Sequence, residues 1–151
     1  MNAVMPSTHL YLVIGYDGSA PAVRALDTAI NLMRGREGSI EVLYVPQLTT
    51  AEMMSAAAVA ETEATFDEIA QDLRAQAAEQ LRGRDDRWVF ARGRGTITDA
   101  LIGSAEKIRD DRPGDNVAIV VGGSSQAMHR LVGSVSVSLA RRAQVPVLIV
   151  P

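Results

Sequence analysis

The sequence predicts an α/β fold: a three-layer sandwich in which a five-stranded, mostly parallel sheet carries helices on both faces. The chain has 151 residues, of which 47% are apolar, enough for one compact domain with a buried core. Five short apolar runs alternate with four helical segments, as in repeated βαβ units. The runs are continuous rather than alternating, which is typical of strands covered on both faces.

The predicted strands are apolar runs that end at Gly, Pro or a polar turn. They span residues 10–14, 40–45, 87–91, 117–121 and 145–150. The first run ends at Gly15 and the turn residues Asp17 and Gly18. Pro46 stops the second run. Pro146 lacks the N–H of a ladder donor, so we expect it at the start or on an edge of the last strand.

Helical segments are predicted where apolar residues recur every three or four positions. They begin near residues 20, 61, 97 and 134 and run to about residues 33, 81, 109 and 143. Pro21 suits the first turn of the first helix, and Thr96 with Asp99 forms an approximate capping box for the third. The Met- and Ala-rich residues 49–59 are not assigned to an element.

The composition excludes several classes of protein. The net charge of -3 and the pI near 5.3 argue against a basic surface for nucleic acid. The chain has no cysteine, and only His9 and His129 could supply imidazole, so no disulfide, thiol or zinc site is expected. The longest apolar runs hold five or six residues, too few to span a membrane.

The N-terminal residues 1–8 have neither the basic region nor the long apolar stretch of a secretion signal. We expect them to form a disordered tail ahead of one domain over residues 9–151. The expected location of the protein is the cytoplasm.

The sequence holds no complete catalytic motif, so we expect no catalytic residue and no metal ligand. Lys107 is the only lysine and follows Glu106, so the Gly-Lys-Ser/Thr of a P-loop is missing. No G-x-S-x-G elbow occurs, and the serines between residues 124 and 136 have His129 as their only nearby candidate base.

The segment from Gly122 to Ser136 has the physical features of an anion site. It leaves a predicted strand, passes through a polar loop and opens a helix at Gly133 and Ser134. Glycine lets backbone N–H groups approach an anion, and a helix N-terminus favours negative charge. The structural alternative is that Gly133 is a turn glycine and Ser134 an N-cap. Ligands of such sheets bind at the carboxyl ends of strands where the strand order reverses, so the site is expected after the first and fourth strands.

Three groups of residues together resemble the universal stress protein family over residues 9–151. They are the first strand ending in Asp17-Gly18-Ser19, the second ending in Leu43-Tyr44-Val45, and the tail VVGG…LVGSVSVSLARRAQVPVLIV. The resemblance implies a Rossmann-like fold similar to that of the adenine nucleotide alpha hydrolases. It also implies a nucleotide loop of the form G-x2-G-x9-G-[ST].

The loop of this chain departs from that form in its spacing. Gly133 matches the end of the motif, and Gly122 follows the fourth strand where the first glycine belongs. Counted from Gly122, the second glycine position is Ser125, and seven residues rather than nine precede Gly133. If Gly123 is taken as the second glycine, nine residues separate it from Gly133, but the first glycine position of the motif then falls on Val120. The loop has therefore lost either two residues or one glycine.

The resemblance assigns nucleotide-binding roles to Asp17, Val45, Gly122, Gly123, Ser125, Gly133, Ser134 and Val135. It places Asp17 near the ribose or adenine and the Val45 backbone near the adenine edge. His129 and Arg130 are candidate phosphate contacts. The structural alternatives are an Asx turn or cap at Asp17, a core position at Val45, and solvated loop side chains at His129 and Arg130.

The resemblance implies a stress-response module that binds an adenine nucleotide, either ATP, with Mg²⁺ accompanying it, or a relative such as AMP or cyclic AMP. At most, slow ATP hydrolysis is expected. A homodimer through the last strand, residues 145–150, is also implied. From the charge and the short apolar runs, neither a nucleic-acid nor a membrane partner is expected. The alternative, which the irregular loop favours, is a dimeric stress protein that binds no nucleotide and acts through protein partners.

Overall fold

The computed structural model describes residues 8–47, 55–84, 87–123 and 133–151. The strands are β1 (Leu10–Gly15), β2 (Gly38–Tyr44), β3 (Trp88–Arg92), β4 (Asn116–Gly122) and β5 (Val147–Val150). The helices are α1 (Ala20–Leu32), α2 (Ala56–Gln80), α3 (Ile97–Asp111) and α4 (Ser134–Arg142). Strands and helices alternate along the chain, as the sequence predicts.

All described strands pair in parallel, in the order β3-β2-β1-β4-β5. The chain moves outward from β1 to β2 and β3 and then returns to the other side of β1. The strand order therefore reverses between β1 and β4. A crevice forms at such a reversal because the segments that follow the two strands leave toward opposite faces of the sheet.

The sheet separates two apolar cores. On one face, α1 and α2 pack against strand residues that include Leu12, Ile14, Ile40 and Val120. On the other face, α3 and α4 pack against residues that include Val13, Leu43, Ile119 and Val121. Neighbouring residues of one strand are thus buried on opposite faces, which explains the continuous apolar runs. The predicted three-layer sandwich is confirmed.

Helix α2 begins five residues earlier than the sequence analysis predicts. The Ser55 hydroxyl accepts a hydrogen bond from the Ala58 N–H at 3.0 Å and caps an alanine-rich first turn. Alanine is the strongest helix former and serine a preferred N-cap, so these residues extend the helix ahead of its periodic apolar face. Residues 55–59 of the unassigned segment therefore cap and open α2, and residues 49–54 lie outside the described residues.

Strand β5 begins at Val147, two residues later than the predicted start at residue 145. Pro146 precedes it, as expected for a residue without an N–H, and its carbonyl accepts a hydrogen bond from the Ile119 N–H at 2.9 Å. At the other end of the chain, residues 1–7 of the predicted tail lie outside the described residues.

The predicted starts of α1 and α3 are confirmed by their caps. The Ser19 hydroxyl accepts from the Ala22 N–H at 3.4 Å, and the Thr96 hydroxyl accepts from the Asp99 N–H at 3.1 Å. Asp99 also accepts from Arg142 at 2.6 Å, which joins α3 to α4. Hydrogen bonds from Arg142 and Thr96 lower the pKa of the Asp99 carboxyl. In the described ranges, no helix is both long enough and apolar enough to cross a bilayer.

Candidate functional site

A cavity of about 150 Å³ opens at the strand-order reversal, where the carboxyl ends of β1 and β4 meet the end of β2. The helix starts of α1, α3 and α4 complete its lining. The lining residues are Gly15, Tyr16, Asp17, Ser19, Pro21, Ala22, Leu43, Tyr44, Val45, Ile97, Val121, Gly122 and Val135. Residues distant in sequence meet here because parallel strands share one carboxyl edge. The cavity lies at the edge where the sequence analysis expects a ligand.

The described part of the lining is mostly apolar, and its one carboxylate is that of Asp17. Among the same residues, no lysine or arginine lines the cavity. Pockets that enclose a whole drug-sized ligand usually measure about 300 to 1,000 Å³. This cavity is smaller, so it suits a flat ring whose polar substituents extend toward Asp17 and the solvent.

Asp17 lies on the cavity wall with its side chain exposed to solvent. Its Oδ1 atom accepts a hydrogen bond from the Ser19 N–H at 3.0 Å. This local bond is the Asx turn named as the structural alternative, and it holds the loop in front of the α1 cap. The structure therefore shows the turn and places the carboxylate at the cavity, while a contact between Asp17 and a ligand stays a prediction.

Tyr16 also lines the cavity, and the sequence analysis did not identify it. The side chain is 3% exposed, and its hydroxyl donates to Gln80 Oε1 on α2 at 2.8 Å. Burial raises the pKa of the phenol, and the carboxylates of Asp27 and Asp17 raise it further. The phenol therefore stays protonated at neutral pH. The sequence feature that could have identified Tyr16 as a lining residue is its position between Gly15 and Asp17, directly after the first strand.

Tyr44 and Val45 follow each other at the end of β2 and both line the cavity. Val45 packs in the core beneath α3, and its carbonyl accepts from Gln47 Nε2 at 3.2 Å. Val45 thus occupies the core position named as its alternative while it faces the cavity. Tyr44 was missed by the sequence analysis. Burial raises the pKa of its phenol, an effect that nearby Arg92 opposes and Asp17 reinforces.

Gly122 and Gly123 have structural roles at the end of β4. A Cβ atom on Gly122 would lie 2.3 Å from the Pro21 carbonyl oxygen, so only glycine lets the strand end approach the start of α1 this closely. The Gly123 N–H donates to the Val150 carbonyl at 2.6 Å, which extends the pairing of β4 with β5. Gly122 lines the cavity, whereas the N–H of Gly123 is already bonded to the sheet.

The start of α4 reaches the cavity through Val135, which is half-buried. Gly133 is the N-cap of this helix, and Ser134 is its first residue and is exposed. The alternative that made Ser134 the N-cap is therefore wrong. Within the described residues, no side chain caps the first turn of α4. Its N–H groups at this end are available to water or to an anion.

Three of the predicted contacts, Ser125, His129 and Arg130, lie outside the described residues. Their roles stay predictions. In the part of the chain that the structure describes, no group of three or more His, Asp or Glu side chains could hold a metal ion. The described cavity therefore supplies an apolar wall, a carboxylate and a helix N-terminus.

Comparisons with known proteins agree with this architecture. A model of the universal stress protein family matches residues 11–151. No curated protein matched the chain. A solved universal stress protein in complex with cAMP is 22% identical, with a TM-score of 0.65 over 96% of this chain and 99% of that one.

Two further solved structures have the same fold. UspA from Lactobacillus plantarum is 18% identical, with a TM-score of 0.67 over 94% of this chain and 97% of that one. The universal stress protein from Archaeoglobus fulgidus in complex with dAMP is 15% identical, with a TM-score of 0.59 over 97% of this chain and 100% of that one. At these identities, the likeness shows a common fold.

A parallel, doubly wound sheet with a cavity at its strand-order reversal defines a Rossmann-like α/β protein. The family model covers nearly the whole domain. The chain belongs to the universal stress protein family.

Proposed function

We propose that this universal stress protein binds an adenine nucleotide in the cavity between β1 and β4 and acts as a nucleotide-responsive regulatory module. The observation that carries the proposal is the combination of an apolar slot, the Asp17 carboxylate and the start of α4 at one strand-order reversal. Solved family members in complex with cAMP and with dAMP support an adenine nucleotide as the ligand class.

Each part of the cavity fits one part of such a ligand. The apolar residues from the ends of β2 and β4 fit the faces of an adenine ring. The Asp17 carboxylate can accept hydrogen bonds from ribose hydroxyls, since its two oxygens have about four acceptor sites and the bond from the Ser19 N–H uses one of them. The uncapped N–H groups of α4 favour a phosphate, and His129 and Arg130, which precede this helix in the sequence, are the predicted further phosphate contacts.

Mg²⁺ would accompany ATP, because a triphosphate binds the ion with its own oxygens and needs few protein ligands. Asp17 is the one acid in the described lining that could assist, directly or through water. AMP and cyclic AMP require no metal. ATP, ADP, AMP and cyclic AMP are therefore the ligands to compare, each with and without Mg²⁺.

The direct test is mass spectrometry of small molecules released from freshly purified, denatured protein, followed by thermal shifts with the four nucleotides. A ligand at a hundred times its Kd stabilises a protein by about 2.7 kcal/mol, a shift of several degrees for a domain of this size. We expect a bound adenine nucleotide or such a shift. No release and no shift with any nucleotide would contradict the proposal.

Variants of Asp17 locate the ligand within the cavity. Asp17→Asn keeps a carbonyl oxygen for the Ser19 N–H but removes the charge, whereas Asp17→Ala removes both. A hydrogen bond to a charged group contributes about 1.5 to 3 kcal/mol, so both variants should bind at least about tenfold more weakly. Unchanged affinity in Asp17→Asn would show that the carboxylate does not contact the nucleotide.

A nucleotide-free stress protein is the second candidate function. It is favoured by the Gly123 N–H, which is bonded to the Val150 carbonyl instead of being open to a phosphate, and by the irregular glycine spacing. This candidate would act through protein partners. Failure to bind any nucleotide would support it.

We also propose a homodimer through β5. Among the described strands, β5 pairs with β4 alone, so its outer edge is open. Leu148 on this strand is 39% exposed. An open apolar edge tends to pair with another chain, and a second copy can cover it around a two-fold axis. Light scattering at micromolar concentration should report a dimer.

A further inference from the structure

Helix α2 is long but has little buried surface. In the part of the chain that the structure describes, this 25-residue helix buries Leu73 and Ala77 and leaves most of its other side chains exposed. Most helical stability in proteins comes from packing of an apolar face. The position of α2 therefore depends on a small number of contacts, and two of those at its C-terminal half involve the loop between β1 and α1.

The first contact is a hydrogen-bond network centred on Gln80. Its Oε1 atom accepts from the Tyr16 hydroxyl at 2.8 Å. Its Nε2 atom donates to the Val23 carbonyl at 3.0 Å and to Asp27 Oδ1 at 2.9 Å. The amide of Gln80 thus uses both its donors and its acceptor, which fixes its orientation. The network links α2 to α1 and to the residue that follows β1.

The second contact joins the backbone of the loop to α2. Gly18 has φ +77°, and a Cβ atom there would lie 2.7 Å from Leu73 Cδ2. Leu73 is 5% exposed and belongs to the core, so a shift of its side chain must displace core neighbours. The loop therefore lies directly against α2 beside Asp17. One short segment, residues 16–18, contributes both to the cavity wall and to the contact with α2.

We propose that α2 responds to the cavity's ligand through the Tyr16–Gln80 hydrogen bond and the Gly18–Leu73 contact. This inference rests on the proposed function. A nucleotide that contacts Asp17 reduces the motion of residues 16–18, and the same residues then hold the C-terminal half of α2 more firmly. Coupling between sites is reciprocal, so loosening α2 weakens nucleotide binding by the same factor. Tyr16 and Gln80 are positioning residues in this arrangement.

The link is tested first in the ligand-free protein, by hydrogen exchange. Two amides report on the loop: the Tyr16 N–H, bonded to the Leu43 carbonyl at 2.9 Å, and the Ser19 N–H, bonded to Asp17. Gln80→Ala should speed their exchange about fivefold, the effect of losing the one hydrogen bond that Gln80 makes to the loop, from the Tyr16 hydroxyl. Gln71→Ala, an exposed glutamine on the same helix, is the matched control and should leave the loop unchanged.

Tyr16→Phe removes the hydroxyl and keeps the buried ring. If Tyr16 and Gln80 act through one bond, the double variant should speed loop exchange no more than Gln80→Ala alone. Faster exchange in Gln80→Ala that is confined to α1 and α2, with the loop amides unchanged, would overturn the link. So would fully additive effects of the two substitutions.

The second arm adds AMP to the wild type and follows exchange along α2. We expect slower exchange at residues 73–80 on binding, and loss of this effect in Gln80→Ala together with about fivefold weaker AMP affinity. AMP binding without a change in α2 would overturn the coupling and leave the proposed function intact. If AMP does not bind, the proposed function fails for AMP, and so does the coupling between AMP and α2. The exchange measured without ligand still decides whether Gln80 and the loop are linked.

Discussion

The carbonyl oxygen of Pro21 lies where a side chain on residue 122 would have to be: 2.3 Å from the position of a Cβ atom on Gly122. The last residue of β4 and the first turn of α1 are therefore in backbone contact at the edge of the cavity. Glycine is required here by packing, independently of any ligand.

Gly122→Ala should destabilise the protein by about 1 to 3 kcal/mol, because the backbone of α1 must shift to admit the methyl group. Gly103→Ala is the control. Gly103 lies within α3, and apart from its chain neighbours and the backbone of its own helix no described atom lies within 4 Å of its Cβ position. Alanine there should raise stability by about 0.5 to 1 kcal/mol. Urea unfolding measures both effects, and equal stability of Gly122→Ala and wild type would contradict the contact.

Gly18→Ala tests the contact between the loop and α2. Gly18 and Gly95 have nearly the same backbone angle, φ +77° and +79°, but the described residues leave the Cβ position of Gly95 open. The left-handed backbone alone should cost each alanine variant about 1 kcal/mol. Gly18→Ala should lose about 1 kcal/mol more, because Leu73 is in the way. Equal thermal stability of the two variants would show that Leu73 yields without cost.

Gly133 variants separate helix capping from phosphate binding. The residue has φ -69° and ψ 171°, an extended conformation open to any side chain, and it is the N-cap of α4. Asp and Asn are better N-caps than Gly by a few tenths of a kcal/mol, so both substitutions should slightly raise the melting temperature. Either side chain can accept from an N–H of the first turn and so compete with a phosphate, and Gly133→Asp should weaken nucleotide binding more than Gly133→Asn because its charge also repels the phosphate. Equal affinities for the Asp and Asn variants would place the phosphate elsewhere.

The proposed dimer predicts different outcomes at the two edges of the sheet. Leu148→Lys places a charge on the open edge of β5, which natural proteins use to prevent strand pairing. We expect this variant to be monomeric by light scattering. Val89→Lys is the control, because Val89 is 57% exposed on β3, the opposite edge strand, and this variant should remain a dimer. A monomer from Val89→Lys alone would move the interface to β3.

The raised pKa of Tyr16 predicts a loss of stability at high pH. Burial favours the neutral phenol, so its pKa in the folded protein lies above the unfolded value of 10.0. The contribution of the neutral Tyr16 phenol to the free energy of unfolding is fully present below about pH 10. It is lost as the pH rises from there through the folded pKa. The free energy of unfolding should therefore fall less in Tyr16→Phe than in wild type between about pH 8 and pH 11. Parallel declines in the two proteins would contradict this assignment.

The edge of the sheet that carries the candidate site could be predicted from the positions of the strands along the chain. The resemblance to the universal stress protein family assigned roles to Asp17, Val45, Gly122 and Val135, and all four line the cavity. Tyr16 and Tyr44 were missed although they adjoin two of these residues. Their role depends on how deeply each phenol is buried, which the sequence pattern around them does not determine. The roles of Ser125, His129 and Arg130 stay predictions.

The sequence by itself determined the order of strands and helices, the caps of α1 and α3, and the edge of the sheet where a ligand site would lie. These features depend on periodicity, turn residues and caps within a few positions of each other. Only the tertiary structure showed the bond between Tyr16 and Gln80, which are 64 positions apart, and the contacts of Gly122 with Pro21 and Gly123 with Val150. Such contacts depend on where two packed elements meet in space. A local pattern of residue types does not show which residues far apart in the sequence will lie next to each other.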